Sequence, residues 1–304
     1  MRKILIVSNR LPVSVTKSKS GIRVKPSIGG LATGMKSFYK EMDGIWIGWP
    51  GVDRSSLGKE DEKSVARQLE KENCEALYID RKDMDAYYYG FSNKTIWPLF
   101  HYFPQYTVYD QQYWEGYKKV NRMFAEKAAS VIGKDDHIWI HDYHLLLLPR
   151  MIKEQHPGVT IGFFNHIPFP SFELFRLLPW REEILEGMLG ADLVGFHSYD
   201  YERHFSSCVR RLFGYDYELN QINLGDRIIR VDSFPMGIDY RKYNEAALAI
   251  EKRTEKKKPK LQEDIERFHQ MVPGRKLILS IDRMDYSKGI PHRLYAFRRF
   301  LEKY

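Results

Sequence analysis

The sequence predicts an α/β protein built on a doubly wound parallel sheet, and two observations carry that prediction. Short β-branched or aromatic runs alternate with longer stretches of helical periodicity, the pattern of βαβ units. The runs Ile4–Val7 and Ile161–Phe164 are nearly continuously apolar, as strands covered on both faces must be. A chain of 304 residues allows about two domains of roughly 150 residues each. With 43% hydrophobic and 29% charged residues it can bury a sizeable core.

Taken in order, strands are expected at Ile4–Ser8, Ile45–Gly48, Ala76–Ile79, His137–His141, Thr160–Asn165, Leu193–His197, Ile228–Ser233 and Leu277–Ile281. The stretch between the first strand and Gly29 reads as a long basic loop. Trp114, Tyr117, Val120, Phe124, Ala128 and Val131 recur at helical spacing before His137, and Phe205, Val209 and Leu212 do so after His197. Glu251 to Lys260 (EKRTEKKKPK) has no apolar residue and contains Pro259, which suits a solvated hinge. Beyond it come a helix near Leu261–Met271, one strand, and a helix from Pro291 onward. One βα unit cannot enclose its own core, so the chain is expected to stop early in a second domain. The organisation expected is an N-terminal domain over 1–250, a charged linker and helix over 251–275, and the start of a second domain over 276–304. No internal repeat or low-complexity tract is present.

The net charge of +8 is not spread over a face. Residues 1–27 hold seven Lys or Arg and no acid, and 241–260 carry a net +5, which leaves the remainder slightly acidic. Two local patches are indicated, and no broad nucleic-acid surface. No apolar run approaches the roughly 20 residues of a membrane helix. Met1-Arg2-Lys3 followed by Ile4–Val7 imitates a signal peptide, but Ser8-Asn9-Arg10 ends the apolar stretch too soon. Cys74 and Cys208 have no metal-type spacing, so reduced thiols in a cytoplasmic protein are expected.

Ligands of open parallel sheets bind at the carboxyl ends of the strands. Polar clusters fall there repeatedly: Ser8-Asn9-Arg10, His141-Asp142, His166, His197-Ser198 and Asp282-Arg283. Any one of them suits a turn or cap, whereas five suggest a shared crevice. Gly29-Gly30-Leu31-Ala32-Thr33-Gly34 opens a helix but matches neither the dinucleotide nor the P-loop pattern. A bare tight turn fits it as well as phosphate binding, and the basic neighbourhood favours phosphate. Asp142 suits a sugar-binding or basic carboxylate, or equally a helix cap. His141 and His144 lack an obvious third metal ligand. His166 suits scaffold or ligand contact, with Pro168 and Pro170 stiffening the loop behind it. The aromatic stretch from Tyr87 to Tyr102 suits a carbohydrate surface or a core under a loop. Arg283 and Lys288, five residues apart, suit a diphosphate clamp or a solvated surface.

Several of these segments, in order, carry a resemblance: Ser8-Asn9-Arg10-Leu11-Pro12, Gly29-Gly30-Leu31, Tyr88 with Phe91-Ser92-Asn93 and Trp97-Pro98, and Trp139-Ile140-His141-Asp142-Tyr143-His144-Leu145. Phe163-Phe164 with His166-Ile167-Pro168-Phe169-Pro170 and Asp282-Arg283-Met284-Asp285-Tyr286-Ser287-Lys288-Gly289 complete the set. The chain resembles the trehalose-6-phosphate synthases, retaining glycosyltransferases of the GT-B type with two facing Rossmann-like domains. The resemblance runs from Ile4 to the last helix and implies glucosyl transfer from UDP-glucose to glucose 6-phosphate, giving α,α-trehalose 6-phosphate and UDP. It implies that Arg10 and Tyr88 hold the acceptor phosphate, that Trp97 lines the acceptor site and that Asp142 binds acceptor hydroxyls. It places Gly29 and Gly30 on the donor diphosphate, His166 on the donor glucose, and Arg283 and Lys288 on the departing UDP. No metal and no cofactor are implied, and a homo-oligomer is left open. The family's uridine and ribose contacts lie beyond Tyr304, so this chain is expected to bind glucose 6-phosphate and to turn over poorly. Alternatives are a non-catalytic sugar-phosphate-binding regulatory subunit, or a related synthase using GDP-glucose or making glucosylglycerol phosphate.

Overall fold

The computed structural model describes residues 3–18, 21–27, 30–31, 34–35, 44–53, 56–133, 135–251, 260–274, 276 and 278–304. They fall into two compact units, Met1–Met236 and Gly237–Tyr304.

The first unit is an α/β sandwich around one nine-stranded sheet. Its strands are β1 (Ile4–Arg10), β4 (Ile45–Trp49), β5 (Cys74–Ala76), β6 (His137–His141), β7 (Thr160–Phe164), β8 (Leu193–Phe196), β9 (Tyr217–Glu218), β10 (Gln221–Asn223) and β11 (Ile228–Ser233). They lie in the order β5-β4-β1-β6-β7-β8-β11-β10-β9. The first seven in that order run parallel, and β10 and β9 close the edge antiparallel. Successive strand residues point to opposite faces, so both faces must be apolar. Leu5 and Val7 belong to the core on one side with Ile47, Ile138 and Ile140. Ile6 belongs to the other, with Trp46, Val65 and Leu69.

Two features of this unit differ from the sequence reading. The basic segment after β1 is a hairpin, β2 (Val13–Ser18) paired antiparallel with β3 (Gly21–Pro26). Its alternation is genuine: Val13 and Val15 are buried while the intervening positions carry polar and basic groups. The third strand lies at Cys74–Ala76, earlier than Ala76–Ile79, because Trp46, Ile47 and Gly48 pair with those three residues.

The second unit contains the helices Tyr240–Glu251, Lys260–Met271 and Ile290–Lys303. The strand expected at Leu277–Ile281 is not formed: Leu277 lies outside the described residues, and 278–281 are irregular and exposed. A strand exists only by pairing, and among the described residues of this unit no partner strand is present. Most of the hinge segment, 252–259, also lies outside the described residues. Among the described residues no helix is long and apolar enough to cross a membrane.

Candidate active site

The strand order reverses between β1 and β6, where the chain leaves in opposite directions and a crevice opens at the carboxyl ends. Register puts Ser8 beside His141, so the residues after each strand share that crevice. Arg10 ends β1 past an irregularity in its pairing with β4, exposed, with its guanidinium 4.6 Å over the Trp49 ring. Gly48 lets the two strands approach: a Cβ there would stand 2.7 Å from Leu11 N and 2.9 Å from Ser8 O. Behind it, Trp46 Nε1 donates to Ser8 Oγ at 2.8 Å, and Ser8 Oγ donates to Arg10 O at 2.7 Å.

Asp142 follows β6 with φ 79° and ψ 163°, a region that side-chain-bearing residues rarely occupy. Its carboxylate accepts from Tyr143 N–H at 2.9 Å and so caps the turn Tyr143–Leu145. The cap and site readings of this residue therefore coexist. Burial pushes the Asp142 carboxyl up, against the lowering influence of His144 and of the Tyr143 and His166 backbone N–H groups. The side chain retains 23% exposure, which is the access a ligand would need.

His144 stands 3.7 Å from Asp142 Oδ2 and stacks on Tyr88, with neither ring nitrogen hydrogen-bonded. Burial is the main reason its pKa falls to about 4; Asp142 opposes this and Arg10 adds to it. Tyr88 comes from a run of π-helical turns, Asp85–Ile96, a form that recurs at functional sites. Its inner side, Tyr87 and Phe91, is buried against Tyr117 of the helix Gln111–Ala129. Gly90 permits that packing, since a Cβ there would lie 2.6 Å from the Tyr113 ring. The same long helix fixes the loop after β6: Tyr117 OH donates to Tyr143 O and accepts from Leu146 N–H, and Asn121 Nδ2 donates to His144 O. Tyr87 OH reaches Asn9 Oδ1 at 3.1 Å. Trp97 lies 5.7 Å from Tyr143 and packs closely on His101.

His166 sits two residues past β7, its ring 5.2 Å from His141 and 5.4 Å from His197. Burial chiefly, with His197, brings its pKa down to about 3. His141 and His197 are likewise lowered, mainly by burial.

The structure thus gathers Arg10, Tyr88 and Asp142 around His144, with His166 reaching Asp142 through its backbone N–H and Trp97 behind Tyr143. Gly29 lies outside the described residues, and Gly30 is helical with open space where a Cβ would be. Arg283 and Lys288 belong to the second unit, on the loop whose turn Tyr286–Lys288 is capped by Asp285. The sequence offers His144 only as a metal ligand, and its i, i+3 relation to His141 holds no sign that a π-helical tyrosine covers it. Among the described residues no three His, Cys, Asp or Glu side chains converge as a metal ion would need. Two surface depressions of about 530 and 570 Å³ lie away from the crevice, and ion pairs such as Lys153–Asp192 and Lys119–Asp83 already occupy cations on their walls.

The model of glycosyltransferase family 20 matches residues 2–304. An Emericella nidulans protein described as alpha,alpha-trehalose-phosphate synthase (UDP-forming) is 42% identical over 305 residues, covering 98% of this chain and 58% of its own. The crystal structure of a synthase of that description from Burkholderia vietnamiensis superposes with a TM-score of 0.81 at 32% identity, over 100% of this chain and 61% of that one. Another from Burkholderia xenovorans, in complex with glucose-6-phosphate, gives 0.79 at 31% identity, over 99% and 62%. The chain spans about three-fifths of the length of these relatives.

Proposed function

This chain belongs to glycosyltransferase family 20, and from that premise we propose that it serves glucosyl transfer from UDP-glucose to glucose 6-phosphate, giving α,α-trehalose 6-phosphate and UDP with retention at the donor anomeric carbon. The observation that carries the reading is the meeting of Arg10, Tyr88, Asp142 and His144 at the reversal of strand order. A guanidinium and a phenol suit a phosphate monoester, and a half-shielded carboxylate beside them suits the sugar hydroxyls. The names of the relatives, UDP-forming synthases and one crystallised with glucose-6-phosphate, point the same way.

In this reading Arg10 and Tyr88 hold the acceptor phosphate, Trp97 lines the acceptor site and Asp142 orients the attacking sugar. His166 contacts the donor glucose, Gly29 and Gly30 meet the diphosphate through the backbone, and Arg283 and Lys288 stabilise charge on departing UDP. With its pKa near 3, His166 is uncharged at neutral pH and serves as a hydrogen-bonding group, not a proton source. The acceptor attacks on the face the leaving group departs from, and the leaving phosphate takes the proton. Rate enhancement then comes from positioning and electrostatics. A reduced, cytoplasmic setting suits the two buried free cysteines, Cys74 and Cys208.

The test is calorimetric titration of the chain with glucose 6-phosphate. Wild type should bind, and Arg10→Ala should lose about 1.5–3 kcal/mol, roughly 10- to 100-fold in affinity. Wild-type protein that binds no glucose 6-phosphate overturns the reading.

A further inference from the structure

We propose that His141 is a positioning residue that fixes the tautomer of His166: His141 Nδ1–H donates to His166 Nε2, so that His166 offers Nδ1–H to its ligand. The two rings approach at 3.0 Å between these nitrogens. His141 ends β6 and is 1% exposed, and the register of β6 against β7 sets it opposite Phe164, two residues before His166. Burial keeps both imidazoles neutral at physiological pH.

Two neutral imidazoles joined by one hydrogen bond have two arrangements. In the reverse one, His166 Nε2–H donates and the His141 proton must sit on Nε2. That atom is buried and has no hydrogen-bond partner, so the arrangement strands an N–H in the protein interior. In the assigned one the stranded atom is a lone pair, and each N–H is either paired or faces the cleft. Orphaned buried N–H groups are the rarer and costlier of the two. The other groups facing His166 leave its Nδ1 available: Phe164 and His197 meet it by ring contact, and Asp142 takes its backbone N–H.

The consequence is a choice of ligand chemistry. A fixed Nδ1–H recognises an oxygen lone pair, as on a sugar hydroxyl, whereas the other tautomer would present only an acceptor. The identity of that ligand rests on the glucosyl-transfer reading; the tautomer does not.

The experiment is ¹⁵N–¹H correlation spectroscopy of the whole chain with labelled histidine at pH 7, His166 being assigned by its loss in His166→Asn. Wild type should show His166 protonated on Nδ1 with a bare Nε2. His141→Asn, whose amide N–H occupies the place of Nδ1–H, should keep that pattern. His141→Phe should move His166 toward Nε2 protonation. A wild-type His166 protonated on Nε2 overturns the proposal, as does an unchanged His166 in His141→Phe. The wild-type spectrum decides even if the phenylalanine variant does not fold. Failure of the glucosyl-transfer reading would show separately, in the glucose 6-phosphate titration.

Discussion

The His144 imidazole lies against the Tyr88 ring with centroids 5.5 Å apart and planes 9° from parallel, although one comes from the loop after β6 and the other from the π-helical segment. Stacking and hydroxyl can therefore be separated. Tyr88→Phe keeps the stack and should leave the denaturation midpoint nearly unchanged while glucose 6-phosphate affinity falls about 10-fold, the loss of one hydrogen bond to a charged group. Tyr88→Ala should lower both. Wild-type affinity in Tyr88→Phe would remove the hydroxyl from the phosphate site.

Asp142 holds a backbone conformation nearly reserved for glycine, at a cost of about 1–3 kcal/mol. Asp142→Gly relieves that strain and the burial of a carboxyl, while giving up the Tyr143 cap. Stability should be retained or raised while acceptor binding is lost. Urea unfolding measures this; a loss beyond about 2 kcal/mol would show that the cap outweighs the strain.

Gly48→Ala introduces no dihedral strain, but its methyl would stand within 3 Å of three backbone atoms at the end of β1, those of Arg10 among them. Overpacking of this kind costs about 1–3 kcal/mol. The strand end must move and Arg10 with it, so glucose 6-phosphate affinity should fall together with stability. A variant that binds like wild type would mean that Arg10 tolerates the shift.

His141, His144, His166 and His197 all have pKa values lowered in the fold, mainly by burial, against about 6.5 when unfolded. Between the folded and unfolded values the unfolded chain binds more protons, so stability rises with pH across that window and levels off above it. Asp142, raised by burial, acts with the opposite sign just above pH 3.8. The urea midpoint should hold from pH 8 to 7 and fall between 6.5 and 4.5, less steeply in His166→Asn. A midpoint unchanged down to pH 5 would contradict this.

Much of the sheet is legible in the sequence because its strands are apolar on both faces, which few other elements are. Ile4, His137, Thr160 and Ile228 all begin strands where the pattern places them. The hairpin Val13–Pro26 is obscured by its own basic residues, which mask a two-residue alternation. The π-helical run is invisible because Tyr87-Tyr88-Tyr89-Gly90-Phe91 fits an ordinary helix or a loop equally well. Arg10, Asp142 and His166 could be found because strand ends converge by topology. His144 depends on which face of the loop after β6 turns inward, which Tyr117 and Asn121 on a distant helix decide. The His141–His166 pair depends on the register of β6 against β7.

Pairing of β1 with β6 joins residues 133 positions apart. Closing a loop of that length carries an entropic cost of about 4 kcal/mol, repaid only once the intervening strands and helices have condensed. Contacts of such separation form slowly. The crevice between Arg10 and Asp142 is then among the last features to assemble during refolding, so the recovery of sugar-phosphate affinity should track the slowest refolding phase. A partly folded chain can hold most of its helices and still lack this crevice, which ties the proposed site to completion of the sheet.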